Sequence, residues 1–109
     1  MNTMTDEEFV NKLVSKNRNN ETKLQKEVQR YLVSKGCYEF KVHGSAYMKA
    51  GIPDIICCYK GLFLGIETKV GKNKQSRLQV IHEKEIISAG GIYILAYSLE
   101  DVKKVIETL

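Results

Sequence analysis

Hydrophobic residues near the N-terminus recur at intervals of three and four positions. This spacing predicts one helix over residues 5–16 and a second over residues 21–34, with a break at residues 17–20. Thr5 and Glu8 have the spacing of a capping box at the start of the first helix. The first third of the chain therefore predicts two amphipathic helices.

The middle of the chain predicts a β-hairpin. Residues 52–59 and 62–69 are rich in β-branched and aromatic side chains, and Lys60-Gly61 forms a short turn between them. Centring the turn there pairs Tyr59 with Leu62, Cys57 with Leu64 and Asp54 with Glu67. Pro53 cannot donate to a strand ladder, so it belongs at the first turn or edge of its strand.

The remaining segments complete an α/β pattern. We expect an earlier strand at residues 38–43, a helix over residues 76–88, a central strand at residues 92–97 and a last helix capped by Ser98. The helix over 76–88 is expected to bury Leu78, Ile81 and Ile86, with Val80 and Ile87 as further candidates. The order α-α-β-β-β-α-β-α predicts a mixed sheet flanked by helices, with a parallel crossover at the end.

Length and composition restrict the class of protein. The 109 residues suffice for one domain, and the net charge of +4 is too small to indicate nucleic acid by itself. No apolar run is long enough to span a membrane, and the acidic start of the chain is no signal peptide, so we expect an intracellular location. Cys37, Cys57 and Cys58 lack metal-binding spacing and are interpreted as reduced structural residues.

Two carboxylates and a lysine converge at one end of the predicted hairpin. Asp54 opposes Glu67, and Lys69 lies two residues further along on the same face. Opposed carboxylates repel each other, and a hard cation such as Mg²⁺ between them would convert this repulsion into binding. The backbone carbonyl of Thr68 is a further candidate ligand. A metal held here, with the lysine beside it, fits hydrolysis of a phosphodiester.

Basic residues follow this group without an intervening acid. Lys69, Lys72, Lys74 and Arg77 form a local cluster that favours a polyanionic ligand. A solvated loop is the alternative explanation for these charges.

Glu21 lies on the apolar side of its predicted helix, in the first turn. It would either interact with the helix dipole or reach over the sheet as a third acid. Spacing alone leaves both explanations open.

The combination of these features resembles the PD-(D/E)xK nuclease signature, and more specifically the VRR-Nuc family of virus-type replication-repair nucleases. The matching pieces are Glu21, the Gly-Ile-Pro-Asp at 51–54, the Gly-Ile-Glu-Thr-Lys at 65–69, Gln79 and the segment 90–102. The match spans residues 20–109 as a nuclease domain and leaves residues 1–19 as an N-terminal helical extension. Thr68 stands where valine is frequent, an exchange expected to be neutral.

The resemblance implies a restriction-endonuclease-like fold and a set of site residues. Asp54, Glu67 and Lys69 would be the catalytic core, with Gln79 and Glu21 completing it and Mg²⁺ or Mn²⁺ as cofactor. Among the acids, it favours Glu21 over Glu27. The residues expected to contact DNA are Lys49, Lys72, Lys74 and Arg77.

Small stand-alone members of this family are similar to Holliday junction resolvases, are often encoded by phages and act as homodimers. The resemblance therefore implies a structure-selective endonuclease that acts on branched or duplex DNA. The alternatives are a nuclease for flaps or linear DNA, and a junction-binding module without catalysis. The first helix, with Phe9 and Leu13, is one candidate dimer face.

Overall fold

The structure is a computed structural model that describes residues 4–44 and 49–109. Three helices surround one four-stranded sheet in the order β1-β2-β3-β4. The elements are α1 (Asp6–Ser34), β1 (Tyr38–Lys41), β2 (Ile55–Tyr59), β3 (Leu62–Thr68), α2 (Arg77–Ser88), β4 (Ile92–Ala96) and α3 (Leu99–Ile106). The predicted α/β class with a mixed sheet is confirmed. Residues 45–48, between the strands predicted at 38–43 and 52–59, lie outside the described residues.

The two helices expected at the N-terminus form one continuous helix. α1 runs for 29 residues, and the segment 17–20 that was expected to break it is helical and exposed. Asparagine and arginine lower helix propensity only modestly, and this segment contains neither glycine nor proline, so nothing in it forces an end. Although α1 is long, neither it nor any other helix in the described part of the chain is apolar enough to cross a membrane.

The hairpin forms with the predicted register. Tyr59 pairs with Leu62 and Cys57 with Leu64, in an antiparallel ladder that ends at Ile55–Ile66. Lys60 and Gly61 both have positive φ, at 51° and 80°, which is the backbone of the two-residue turn that matches strand twist. β2 begins at Ile55 rather than at residue 52, because the preceding Pro53 has no amide hydrogen to donate.

The crossover from β3 through α2 to β4 is parallel, as predicted, but β4 occupies an edge of the sheet. The central position beside it belongs to β3, whose last five residues are all buried. The expectation of a central β4 was therefore wrong. β4 is apolar because helices α2 and α3 pack against it. An edge strand of a mixed sheet is covered by helices in the same way as a central strand.

α2 is less buried than expected. Leu78 is 48 % exposed, Ile81 41 % and Ile87 57 %, and Val80 and Ile86 are half-buried. No residue of this helix is fully buried, because among the described elements α2 packs mainly on β4. These predicted core positions were wrong.

The hydrophobic core lies on the opposite face, between the sheet, the second half of α1 and α3. Val28 and Leu32 of α1 pack there with Ile66 of β3 and Val102 of α3, and all four are buried. The three cysteines are free, as predicted, although Cys58 is exposed and so contributes nothing to this core. The core thus holds α1 against the sheet only from Leu24 onward.

Continuity of α1 can be tested with a proline. Asn19→Pro removes an interior hydrogen bond and clashes with the preceding turn, at a cost of about 3 kcal/mol in a continuous helix. The segment before it is too short to remain helical alone, so we expect the ellipticity at the helical minimum in circular dichroism to fall. Asp6→Pro is the matched control, because proline fits the first position of a helix and Thr5 before it is already extended. An unchanged spectrum for Asn19→Pro would show that the helix is interrupted there.

Candidate active site

Asp54 is positioned by the short segment that leads into β2. The backbone carbonyl of Asp54 accepts a hydrogen bond of 2.7 Å from the Val42 amide, which ties this segment to the end of β1. Pro53 packs against Gly65 of β3, where a Cβ would come within 2.9 Å of the proline ring. The Asp54 carboxylate thus stands directly before the first rung of the hairpin.

Glu67 lies near the end of the central strand β3 and is only 2 % exposed. Its Oε2 atom is buried and has no hydrogen-bond partner among the described residues. Burial, and then the neighbouring charge of Asp54, raise its pKa from 4.5 to about 8, and Lys69 opposes this rise. The negative charge of Glu21 acts in the same direction as that of Asp54. Without a bound cation, Glu67 is therefore protonated near neutral pH.

Lys69 follows β3 and turns its ammonium group towards Glu67. The Nζ atom is 3.9 Å from Glu67 Oε1, and the lysine side chain is 17 % exposed. The Lys69 amide donates to the carbonyl of Ala96 at 2.9 Å, so the strand pairing with β4 holds its backbone. The predicted shared face of Glu67 and Lys69 is present, with the lysine at the solvent-facing side.

Gln79 joins the start of α2 to Glu67. Its Oε1 accepts from the Ser76 amide at 2.8 Å in a capping box, which orients the amide group. Its Nε2 then donates to Glu67 Oε1 at 2.7 Å. Gly51 has φ of +84°, and a Cβ there would lie 2.9 Å from the Gln79 nitrogen, so this glycine permits the close approach.

Glu21 lies in the middle of α1, which excludes the interaction with a helix N-terminus that the predicted helix break had suggested. Partial burial and then the charge of Asp54 raise its pKa, while Lys69 and Lys41 oppose the rise. The structure therefore brings Glu21 to the same charge cluster as Asp54 and Lys69. Lys41, at the end of β1, is a nearby cation that the sequence analysis did not identify.

Gln25 and the side chain of Thr68 also belong to the site, although neither was predicted from the sequence. Gln25 Nε2 donates to Thr68 Oγ1 at 2.9 Å, and Thr68 Oγ1 donates to Asp54 Oδ2 at 2.8 Å. Gln25 lies one turn after Glu21, and this spacing was a signal that could have identified it. The prediction that threonine and valine are equivalent at position 68 took account of side-chain shape but not of the hydroxyl group.

The four basic residues expected to contact DNA are all exposed: Lys49, Lys72, Lys74 and Arg77. Lys49 lines an open groove of about 290 Å³ together with Asp54. A larger groove, of about 670 Å³, runs along the outer part of α1 and contains none of the predicted site residues. The groove at Asp54 is therefore the one related to the predicted chemistry.

The predicted carboxylates fit a hard divalent cation. A buried carboxylate oxygen without a partner and two carboxyl groups with raised pKa are features that a cation would relieve. Asp54 and Glu67 are the residues that would hold it. Within the described residues no three histidine, cysteine, aspartate or glutamate side chains lie close enough together to form a ready metal-binding cluster.

The pKa of Glu67 predicts how stability depends on pH in the absence of metal. The pKa of Glu67 is raised in the folded state, so the protonated carboxyl group favours folding. This contribution to the free energy of unfolding is fully present below pH 4.5 and is lost as the pH rises through about 8. Glu67→Gln stays neutral and should remove this part of the dependence. Urea unfolding in EDTA between about pH 5 and pH 9 measures it. Glu107→Gln, at an exposed position, should keep the wild-type profile, and a wild-type profile in Glu67→Gln would contradict the prediction.

Comparison with known proteins found similarity to solved structures only. No protein-family model matches the chain, and no curated protein matches it. Among solved structures, a VRR_NUC domain matches with a TM-score of 0.68 and 21 % identity over 80 % of this chain and 94 % of that one. The Holliday junction resolvase Hjc from the archaeal hyperthermophile Archaeoglobus fulgidus matches with a TM-score of 0.52 and 19 % identity, over 71 % of this chain and 67 % of the resolvase. These matches confirm, at the level of the fold, the predicted resemblance to VRR-Nuc nucleases.

Proposed function

We propose that this protein is a VRR-Nuc nuclease that hydrolyses phosphodiester bonds in DNA with Mg²⁺ or Mn²⁺. The observation that carries the proposal is the buried Glu67 carboxyl group, which lies beside Asp54 and 3.9 Å from the Lys69 ammonium. Burying the Glu67 carboxyl group beside a second carboxyl group costs free energy, and a structural role alone does not account for its buried oxygen, which has no partner among the described residues. The fold shared with a VRR_NUC domain supports the same reaction class.

Each residue of the group has a distinct role in this proposal. Asp54 and Glu67 would hold the cation, which would supply Lewis-acid chemistry to a bound water and to the phosphate. Lys69 neutralises charge that develops on the scissile phosphate or orients the attacking water. Gln79 keeps Glu67 oriented through its 2.7 Å bond, and Glu21 contributes a further negative charge at the edge of the site.

The exposed cations around the site indicate how DNA would approach. Lys72, Lys74 and Arg77 follow the site residues along the chain, and Lys49 lines the groove at Asp54. Such side chains contact phosphates without reading bases, so we expect recognition of DNA shape. The fold shared with Hjc, a Holliday junction resolvase, makes the four-way junction the substrate to test first.

Lys69→Ala tests the proposed chemistry. We expect wild-type protein to cut a labelled four-way junction in Mg²⁺ or Mn²⁺ but not in EDTA, and the variant to cut about 10²- to 10³-fold more slowly. Lys104→Ala, on the exposed side of α3, is the matched control and should cut normally.

The same three proteins are incubated in parallel with flap, linear duplex and single-stranded DNA. Cutting of flaps or linear DNA alone would keep the nuclease and reject the resolvase. Normal cutting by Lys69→Ala would reject the assigned site. Tight junction binding without cleavage in either metal would favour a binding module.

We further propose that the enzyme works as a homodimer, in which two sites cut opposed strands of a junction. The outer part of α1 offers a surface for a second copy, because Phe9, Val10, Leu13 and Val14 are each about half exposed. We also propose that residues 1–19 are an extension of a nuclease domain at 20–109, although α1 crosses this boundary without a break.

Charge along α1 favours an antiparallel arrangement of the two copies. Three acids, Asp6, Glu7 and Glu8, precede the apolar positions, and three bases, Lys12, Lys16 and Arg18, accompany or follow them. Two helices side by side in the same direction would place like charges together. A twofold pairing in opposite directions places the acidic end of each helix beside the basic end of the other.

Leu13→Asp tests this interface. We expect wild-type protein to sediment as a dimer and Leu13→Asp as a folded monomer, since the substitution buries a charge at the contact. Asn11→Asp introduces the same charge two positions away, on another face of the helix, and should remain dimeric. A wild-type monomer, or an undisturbed dimer in Leu13→Asp, would reject the interface.

A further inference from the structure

We infer that Gln25 and Thr68 are positioning residues that orient the Asp54 carboxylate and set the distance of α1 from the site. This inference rests on the proposed nuclease function, since it assigns these two residues a role in the same site. The observation behind it is a chain of hydrogen bonds from α1 through β3 to the segment before β2. None of its links was expected from the sequence.

The polarity of this chain follows from which atoms are able to donate. The Gln25 Nε2 atom is only a donor, so the Thr68 hydroxyl must accept its bond of 2.9 Å. The single hydroxyl hydrogen is then donated to Asp54 Oδ2, at 2.8 Å. The hydroxyl is thereby used fully, as acceptor on one side and donor on the other.

Asp54 Oδ2 receives a second bond from the same residue. The Thr68 backbone amide donates to it at 2.9 Å, so Thr68 holds this oxygen from both its backbone and its side chain. Two bonds to one oxygen fix the rotation of the carboxylate, and they leave Oδ1 outside this pair of bonds. Oδ1 is therefore the oxygen that we assign to the cation.

The same chain acts on Glu21 through the geometry of α1. Gln25 follows Glu21 by four residues, so both side chains lie on the same face of the helix. The bond from Gln25 to Thr68 anchors that face on the strand that carries Glu67. It thereby sets how closely Glu21 approaches the other two acids.

Because Thr68 is buried, the loss of its hydroxyl would leave its hydrogen-bond partners unsatisfied. Thr68 is 0 % exposed and Gln25 6 %, so water has little access to replace a lost bond. Valine would fill the same volume but would leave the Gln25 amide without its acceptor and Asp54 with one donor fewer. Partners of metal-holding carboxylates typically contribute about 10- to 100-fold to metal affinity or activity.

The test compares Thr68→Val, Thr68→Ser and Gln25→Met with the wild type. Mn²⁺ affinity is measured by titration calorimetry without DNA, and cleavage of the junction is measured over a range of Mn²⁺ concentrations. We expect Thr68→Val and Gln25→Met to bind Mn²⁺ about 10-fold or more weakly and to need correspondingly more Mn²⁺ for cleavage. Thr68→Ser keeps the hydroxyl and should recover most of the affinity.

Thr108→Val is the matched control, because it also replaces a threonine hydroxyl with a methyl group. Thr108 precedes Leu109, which contacts Lys60 at the turn of the hairpin, the opposite end from Asp54. This variant should bind Mn²⁺ and cut DNA as the wild type does. Far-ultraviolet circular dichroism establishes that each variant is folded.

Amide hydrogen exchange at position 68 gives a readout independent of metal and activity. We expect faster exchange in Gln25→Met and Thr68→Val, because a less constrained Asp54 protects that amide less. Unchanged Mn²⁺ affinity together with unchanged exchange in both variants would overturn the inference. A wild type that neither binds Mn²⁺ nor cuts DNA would instead overturn the proposed function, and the exchange rates would still decide whether Gln25 and Thr68 hold Asp54.

Discussion

The buried carboxyl group of Glu67 is the constraint on which the rest of this site depends. An ionised carboxylate away from water is strongly unfavourable unless it is paired, and the neighbouring Asp54 adds repulsion. Gln79 and Lys69 contact the Glu67 carboxyl group, and a hydrogen bond from Thr68 restricts the rotation of the Asp54 carboxylate. Either a proton or a cation would relieve the unfavourable charge of this group, which is the physical reason for the metal site proposed here.

Close packing at two glycines makes this arrangement sterically possible. Gly65 gives space to Pro53, so that Asp54 is delivered to the end of the hairpin, and Gly51 gives space to the first turn of α2. That turn carries Gln79, whose capping bonds orient it towards Glu67. The two acids lie in the segments Gly-Ile-Pro-Asp and Gly-Ile-Glu-Thr-Lys. The glycines and the proline of the same segments allow the backbone to pack closely around the site.

Sequence reasoning succeeded where neighbours in space are neighbours along the chain. The hairpin register, the turn at Lys60-Gly61 and the parallel crossover all depend on short-range pairing and turn chemistry. It failed where tertiary context decides. The edge position of β4 and the exposure of α2 depend on how many layers cover each face, and the continuity of α1 depends on a weak local preference that carried no strong stop signal.

The sequence by itself determined that Asp54, Glu67 and Lys69 lie together, because a two-residue turn and the alternation of side chains along a strand leave little freedom within one hairpin. Only the tertiary structure decided how this group is held. The bond from Gln25 to Thr68 joins residues 43 positions apart, and it forms because the apolar face of α1 packs on the sheet in one orientation. Local spacing does not encode such a contact, since the packing of the whole core selects which buried polar groups meet.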